Sequence, residues 1–115
     1  MHEMSIAMNI IELASEAAQA AETRCISSIE LEIGTLAGVM IESLEFCFEV
    51  AARDTLAEGA DLKIVSIPAK GRCFDCEKIA TLTSLTSQCP DCGASLLHIT
   101  DGQELKIKAI TVDEA

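Results

Sequence analysis

Four of the six cysteines in this 115-residue chain fall in one short stretch, C-F-D-C, twelve residues, then C-P-D-C-G. Cys73 and Cys76 form one C-x2-C knuckle, Cys89 and Cys92 the other. Such a knuckle turns the backbone so that two sulfurs converge on one point. Two knuckles supply four thiolates in tetrahedral directions. That set suits zinc and leaves no open coordination position. Gly93, directly after the second pair, can take the positive φ such turns often need. The twelve-residue spacing lets a β-hairpin bring the knuckles together. A closed four-thiolate site is structural by default, because it replaces a core in a segment too small to have one.

Two other uses of the same sulfurs compete. Disulfides need an oxidising compartment. An iron tetrathiolate competes because C-P-D-C-G is similar to a rubredoxin knuckle, but rubredoxins pack that site with aromatics, of which this segment has only Phe74. Cys25 and Cys47 lie outside the knuckles and are expected to pack as small apolar residues. His98, in the strand-like run SLLHIT, is expected to be satisfied or solvent-facing.

A second candidate stands at the beginning, MHEMSIAMNII. His2 is too large for methionine aminopeptidases to remove the residue before it, so Met1 is expected to stay. The Met1 amine, the deprotonated backbone nitrogen of His2 and its ring nitrogen can then close adjoining chelate rings. The backbone nitrogen or side chain of Glu3 can supply a fourth ligand. Deprotonated amides with an imidazole favour a planar, nitrogen-rich geometry, which selects Ni(II) or Cu(II) over zinc. A histidine also reaches position 2 by chance, and the residues alone leave both readings open.

These groups must be positioned by regular elements. From Met4 to about Ala21 the chain is rich in helix formers, with Ile6, Ile10, Leu13 and Ala17 at helical spacing. Ile29, Leu31 and Ile33 alternate with Glu30 and Glu32 in a half-buried strand ended by Gly34. IESLEFCFEVAARDTL gives a second helix with Leu44, Phe48 and Ala51 on one face, closed near Gly59. ADLKIVSIP and QELKIKAITV give two more strands. Opposite charges favour neighbouring strands. The glutamate strand is therefore expected in the middle, between the strands bearing Lys63 and Lys106 with Lys108, and its connection to the Lys63 strand makes a parallel crossover. The expected fold is α+β: two helices on a three-stranded mixed sheet, with an inserted four-cysteine zinc-ribbon lobe. Residues 1–68 plus 102–115 form the expected nickel-binding domain and 69–101 the zinc-binding lobe.

Charge bounds the partners. The formal net charge is -11, half the residues are hydrophobic and only 3% are aromatic. A phosphate backbone or an anionic membrane surface is repelled. The first twenty residues show no basic n-region, and Glu3, Glu12 and Glu16 interrupt their apolar stretch. The expectation is a cytoplasmic protein with no signal peptide or membrane span. No nucleophile paired with a base and no Gly-rich phosphate loop points to an enzyme.

MHEMSIA at the start, IGTLAGV followed by E-F-C-F-E, and C-x2-C-x12-C-P-x-C-G resemble the HypA/HybF family, in order and at matching spacing. That family consists of nickel metallochaperones that mature [NiFe]-hydrogenase. The resemblance implies Ni(II) as transient cargo at His2, with the Met1 amine and Glu3 nearby, and a structural Zn(II) on Cys73, Cys76, Cys89 and Cys92. It also implies two partners, the HypB-type nickel GTPase and the hydrogenase large subunit. Some members serve urease as well. Glu77 stands where the first knuckle would carry a glycine, and this is expected to be tolerated. The rival reading is a zinc-ribbon adaptor protein without a nickel role.

Overall fold

The computed structural model describes residues 2–23, 25–82, 88–93 and 97–112. Two helices and six strands run in the order α1 (Glu3–Ala20), β1 (Ile26–Gly34), α2 (Ile41–Ala51), β2 (Asp61–Ile67), β3 (Lys70–Cys73), β4 (Ile79–Thr81), β5 (Leu97–Asp101) and β6 (Leu105–Val112). One three-stranded sheet has the order β2-β1-β6, the other β4-β3-β5. The glutamate strand is thus the central one, flanked by the two lysine strands. The result is a two-helix, mixed-sheet fold with a four-cysteine lobe.

The chain divides into two compact units. The first comprises residues 1–31, 39–65 and 106–115, the second residues 32–38 and 66–105. The core of the first is built from Ala7, Ile10, Ile11, Ala14 and Ala18 of α1, Ile26, Ile29 and Leu31 of β1, and Leu44 and Phe48 of α2. The buried stripe of α1 is therefore rotated from the expected one. Ile10 lies in it, but Leu13 is 48% exposed and Ala17 faces solvent. Small alanines on the inward side permit close packing, so the bulkier Leu13 is not needed there.

Both helices end on a left-handed residue that is not glycine. At α1 this is Glu22 (φ 59), with Glu22 N donating to Gln19 O and Thr23 N to Ala18 O, both at 3.0 Å. That pair of bonds is the Schellman closure. The helix α2 is shorter than the apolar periodicity suggests. Asp54 turns left-handed (φ 63), the Thr55 hydroxyl donates to Ala52 O at 2.6 Å, and the Glu58 carboxylate accepts from Asp54 N at 3.2 Å. Side-chain hydrogen bonds to the backbone thus replace the last expected turn of helix.

In the second unit a glycine contact fixes the base. A Cβ on Gly34 would collide with the backbone of Gly102, and one on Gly102 with Ala69. Around it Gly34 N donates to Glu104 O (2.8 Å), Leu36 N to Gly102 O (2.7 Å), Thr35 N to Ile67 O (3.0 Å) and Ala69 N to the Thr35 hydroxyl (3.1 Å). IGTLAG, whose pattern in the sequence marks a strand end, is therefore part of the frame that carries the cysteines.

Candidate metal centre

The first knuckle is the tip of the β3–β4 hairpin. Arg72 pairs with Ile79, and Cys73 N donates to Lys78 O at 3.0 Å. Each knuckle is tied by one bond of the same kind: Glu77 N to Cys73 O (2.9 Å) and Gly93 N to Cys89 O (2.8 Å). The residue after each second cysteine is left-handed, Glu77 at φ 64 and Gly93 at φ 77. The turn thus demands a positive φ at both places. At the first a glutamate takes it, at a cost of roughly 1–2 kcal/mol. The β3–β4 hairpin holds the first knuckle at its turn, while the hairpin expected between the knuckles falls in part on residues outside the described ones. The twelve-residue spacer includes β4 and residues 83–87, which lie outside the described residues.

The four sulfurs of Cys73, Cys76, Cys89 and Cys92 lie within 4.8 Å of one another. Cys73 Sγ is 3.5 Å from Cys92 Sγ, and Cys76 Sγ is 3.6 Å from Cys89 Sγ. A zinc tetrathiolate with bonds of about 2.3 Å needs sulfurs roughly 3.8 Å apart, so the number and spacing of the donors suit a tetrahedral ion. Cys73 and Cys89 are buried, Cys76 is half-buried and Cys92 exposed. The N–H groups of Cys92 and Asp91 point at Cys89 and hold its thiol down at about 7, favouring the thiolate a metal requires. At Cys76 the Lys78 N–H acts in the same sense, but burial and the facing Cys89 and Cys73 sulfurs outweigh it and push the thiol up.

The other cysteines separate. Cys47 is half-buried, whereas Cys25, expected to pack, is exposed. It sits in the short α1–β1 connection, where Thr23 takes the buried place (7% exposed). His98 is exposed, with its ring centroid 6.1 Å from that of Phe74.

At the other candidate, Met1 lies outside the described residues. His2 is the exposed N-cap of α1, and its carbonyl accepts the first helical bond, from Ile6 N at 3.2 Å. The opening N–H groups of a helix have no intrahelical acceptor. Glu3 is 8% exposed, and its carboxylate accepts from Met40 N at 3.3 Å and from the Ser43 hydroxyl at 3.5 Å. The N-cap of α2, Met40, makes no side-chain cap bond. Glu3 supplies an acceptor at this helix start and adds to the negative charge of Glu42 in its first turn, and the Met40 N–H in turn holds its carboxyl below the ordinary carboxylate range.

A tetrathiolate cluster on paired knuckles in a small α+β chain defines a metal-binding protein with a zinc-ribbon-like lobe. The matches to known proteins narrow that class. The family model for hydrogenase/urease nickel incorporation metallochaperones, HypA, matches residues 1–112. A hydrogenase maturation factor HypA of Chlorobaculum parvum is 44% identical over 98% of this chain and 100% of its own length. One of Psychromonas ingrahamii is 46% identical over 98% and 99%. The solution structure of the Ni metallochaperone HypA from Helicobacter pylori shares the fold at a TM-score of 0.68, with 24% identity over 97% of both chains. The chain belongs to the HypA family of nickel metallochaperones, which are not catalytic enzymes. Among the described residues, no helix is long and apolar enough to cross a membrane.

Proposed function

We propose that the chain binds Ni(II) as cargo at its N-terminus and delivers it during maturation of [NiFe]-hydrogenase, with a structural Zn(II) held by Cys73, Cys76, Cys89 and Cys92. Nickel is taken by the Met1 amine, the backbone nitrogen and ring of His2, and the backbone nitrogen of Glu3. The observation that carries this reading is the placement of His2, an exposed imidazole at the start of α1, in a chain of this family. The engagement of the Glu3 carboxylate with α2 favours its backbone nitrogen over its side chain as the ligand. A site at a chain end is open to a second ligand set, so transfer proceeds by stepwise exchange. Binding weakens as pH falls, because amine, amide and imidazole must all lose protons.

In this reading residues 1–68 with 102–115 serve nickel and 69–101 serve zinc. The working compartment is the cytoplasm. The partners are a HypB-type nickel GTPase and the hydrogenase large subunit, with Glu12 and Glu16 of α1 meeting the GTPase. The test is metal content after nickel loading. His2→Ala loses nickel and keeps zinc, and a residue added before Met1 weakens nickel binding. Unchanged nickel stoichiometry and affinity in His2→Ala would place the cargo site elsewhere and restore the zinc-only adaptor.

A further inference from the structure

We propose that a groove between the C-terminal half of α2 and the turn into β2 docks a basic amphipathic segment of a partner protein. The groove, about 270 Å³, has an apolar floor of Phe48, Ala52, Ala57 and Leu62. That volume admits one large aliphatic side chain. Its rim carries the carboxylates of Glu45, Glu49 and Asp61. Glu42 extends the acidic row along the same helix, and Phe46, 67% exposed, lies beside it.

The charge arrangement selects the occupant. None of Glu42, Glu45, Glu49 and Asp61 has an ion-pair partner among the described residues. Glu45 and Glu49 are like charges at i,i+4, a destabilising spacing on a helix. The last turn of α2 holds no basic residue, so Glu49 also stands against the negative end of the helix dipole. The fold gains nothing from this placement. A cationic segment removes both penalties, and its apolar anchor fills the groove. Helix-in-groove recognition reads such an anchor with charges one turn away on either side. A chain of net charge -11 has few cations to supply internally, so the segment comes from another protein. The inference is independent of the nickel reading.

The probe is a synthetic helical peptide with one leucine flanked by lysines a turn away on each side. A matched peptide with glutamates in place of the lysines is the control. Amide NMR of the full, zinc-loaded chain reads where it binds. The expected result is shifts confined to residues 45–62, affinity that falls with added salt, and no binding of the control. Ala60→Leu fills the groove from its half-buried rim without touching charge, and should weaken the peptide at least tenfold. Glu45→Lys with Glu49→Lys should weaken it as much while the melting temperature holds or rises. Peptide affinity unchanged by Ala60→Leu overturns the proposal, as do shifts centred on Glu12 and Glu16 of α1. A charge-reversed variant that keeps its affinity does so too.

Discussion

The two ends of metal chemistry in this chain are built in opposite ways. At the cysteine cluster four side chains from two knuckles converge within 4.8 Å, and two of them are buried. At the N-terminus a single exposed imidazole stands at the mouth of α1, and the neighbouring carboxylate is turned inward to cap another helix. The first arrangement can saturate an ion, and on the proposed zinc reading it draws folding energy from it. The second, on the proposed nickel reading, offers backbone nitrogens and one ring and leaves the ion approachable. A chain that keeps one metal and hands on another, as proposed above, needs both kinds of site, and on that proposal the two are separated by making one from side chains and the other chiefly from main chain.

The contrast breaks most visibly at Cys73. Structural zinc contributes about 10–16 kcal/mol of apparent binding energy in finger peptides, far more than three short strands recover by themselves. Cys73→Ser should release zinc and abolish the NMR signature of β3, β4 and β5, while the resonances of α1 and α2 persist. One zinc per chain and a native melting profile in that variant would show that these sulfurs are not the zinc shell.

Glu3→Gln acts on the other region and should leave zinc untouched. The carboxyl of Glu3 lies below its ordinary value of 4.5 in the folded chain. Its charge therefore adds stability above that value, and the contribution is lost as pH falls through the lower folded value. In Glu3→Gln the melting temperature at neutral pH should drop by a few degrees, and this acid-dependent component should vanish. Melts followed across the acid range measure it. An identical pH profile in the variant would remove the carboxylate from the α2 cap.

The smallest effect sharpens the comparison between the two knuckles themselves. Glu77→Gly gives the first knuckle the residue type of the second. Relief of the left-handed glutamate should stabilise the zinc-loaded lobe by about 1 kcal/mol. Loss of the Arg72–Glu77 pair, 3.6 Å apart and largely exposed, subtracts little. A zinc-challenge titration with a chelator reads the gain.

Much of this architecture was legible in the sequence. The alternation of Ile29, Leu31 and Ile33 with glutamates, set against lysines on the other two strands, led to the observed order β2-β1-β6. The knuckle spacing led to the sulfur cluster. What stayed hidden depends on contacts distant in sequence. Glu3 meets Met40 and Ser43 across the helix pair, and no local pattern announces that. The rotation of α1 was missed because alanine reads as neutral in a periodicity, although Ala7, Ala14 and Ala18 are fully buried. The end of α2 was misplaced because its apolar pattern runs on past the point where Asp54 and Thr55 redirect the backbone. The place of IGTLAG in the second unit rests on a glycine contact with Gly102, which only the folded chain reveals.

The strand order has a kinetic consequence. β1 lies between β2, which precedes the cysteine segment, and β6, which follows it. The sheet's last edge therefore closes only after the whole intervening loop has been synthesised and its ends brought together. Loop-closure entropy grows slowly, by about 0.6 kcal/mol for each doubling of length, and a metal clip shortens the free part of a loop. On the proposed zinc reading, early capture of the metal would speed the arrival of β6, so that metal supply would set the tempo at which a sheet containing none of the cysteine ligands is finished.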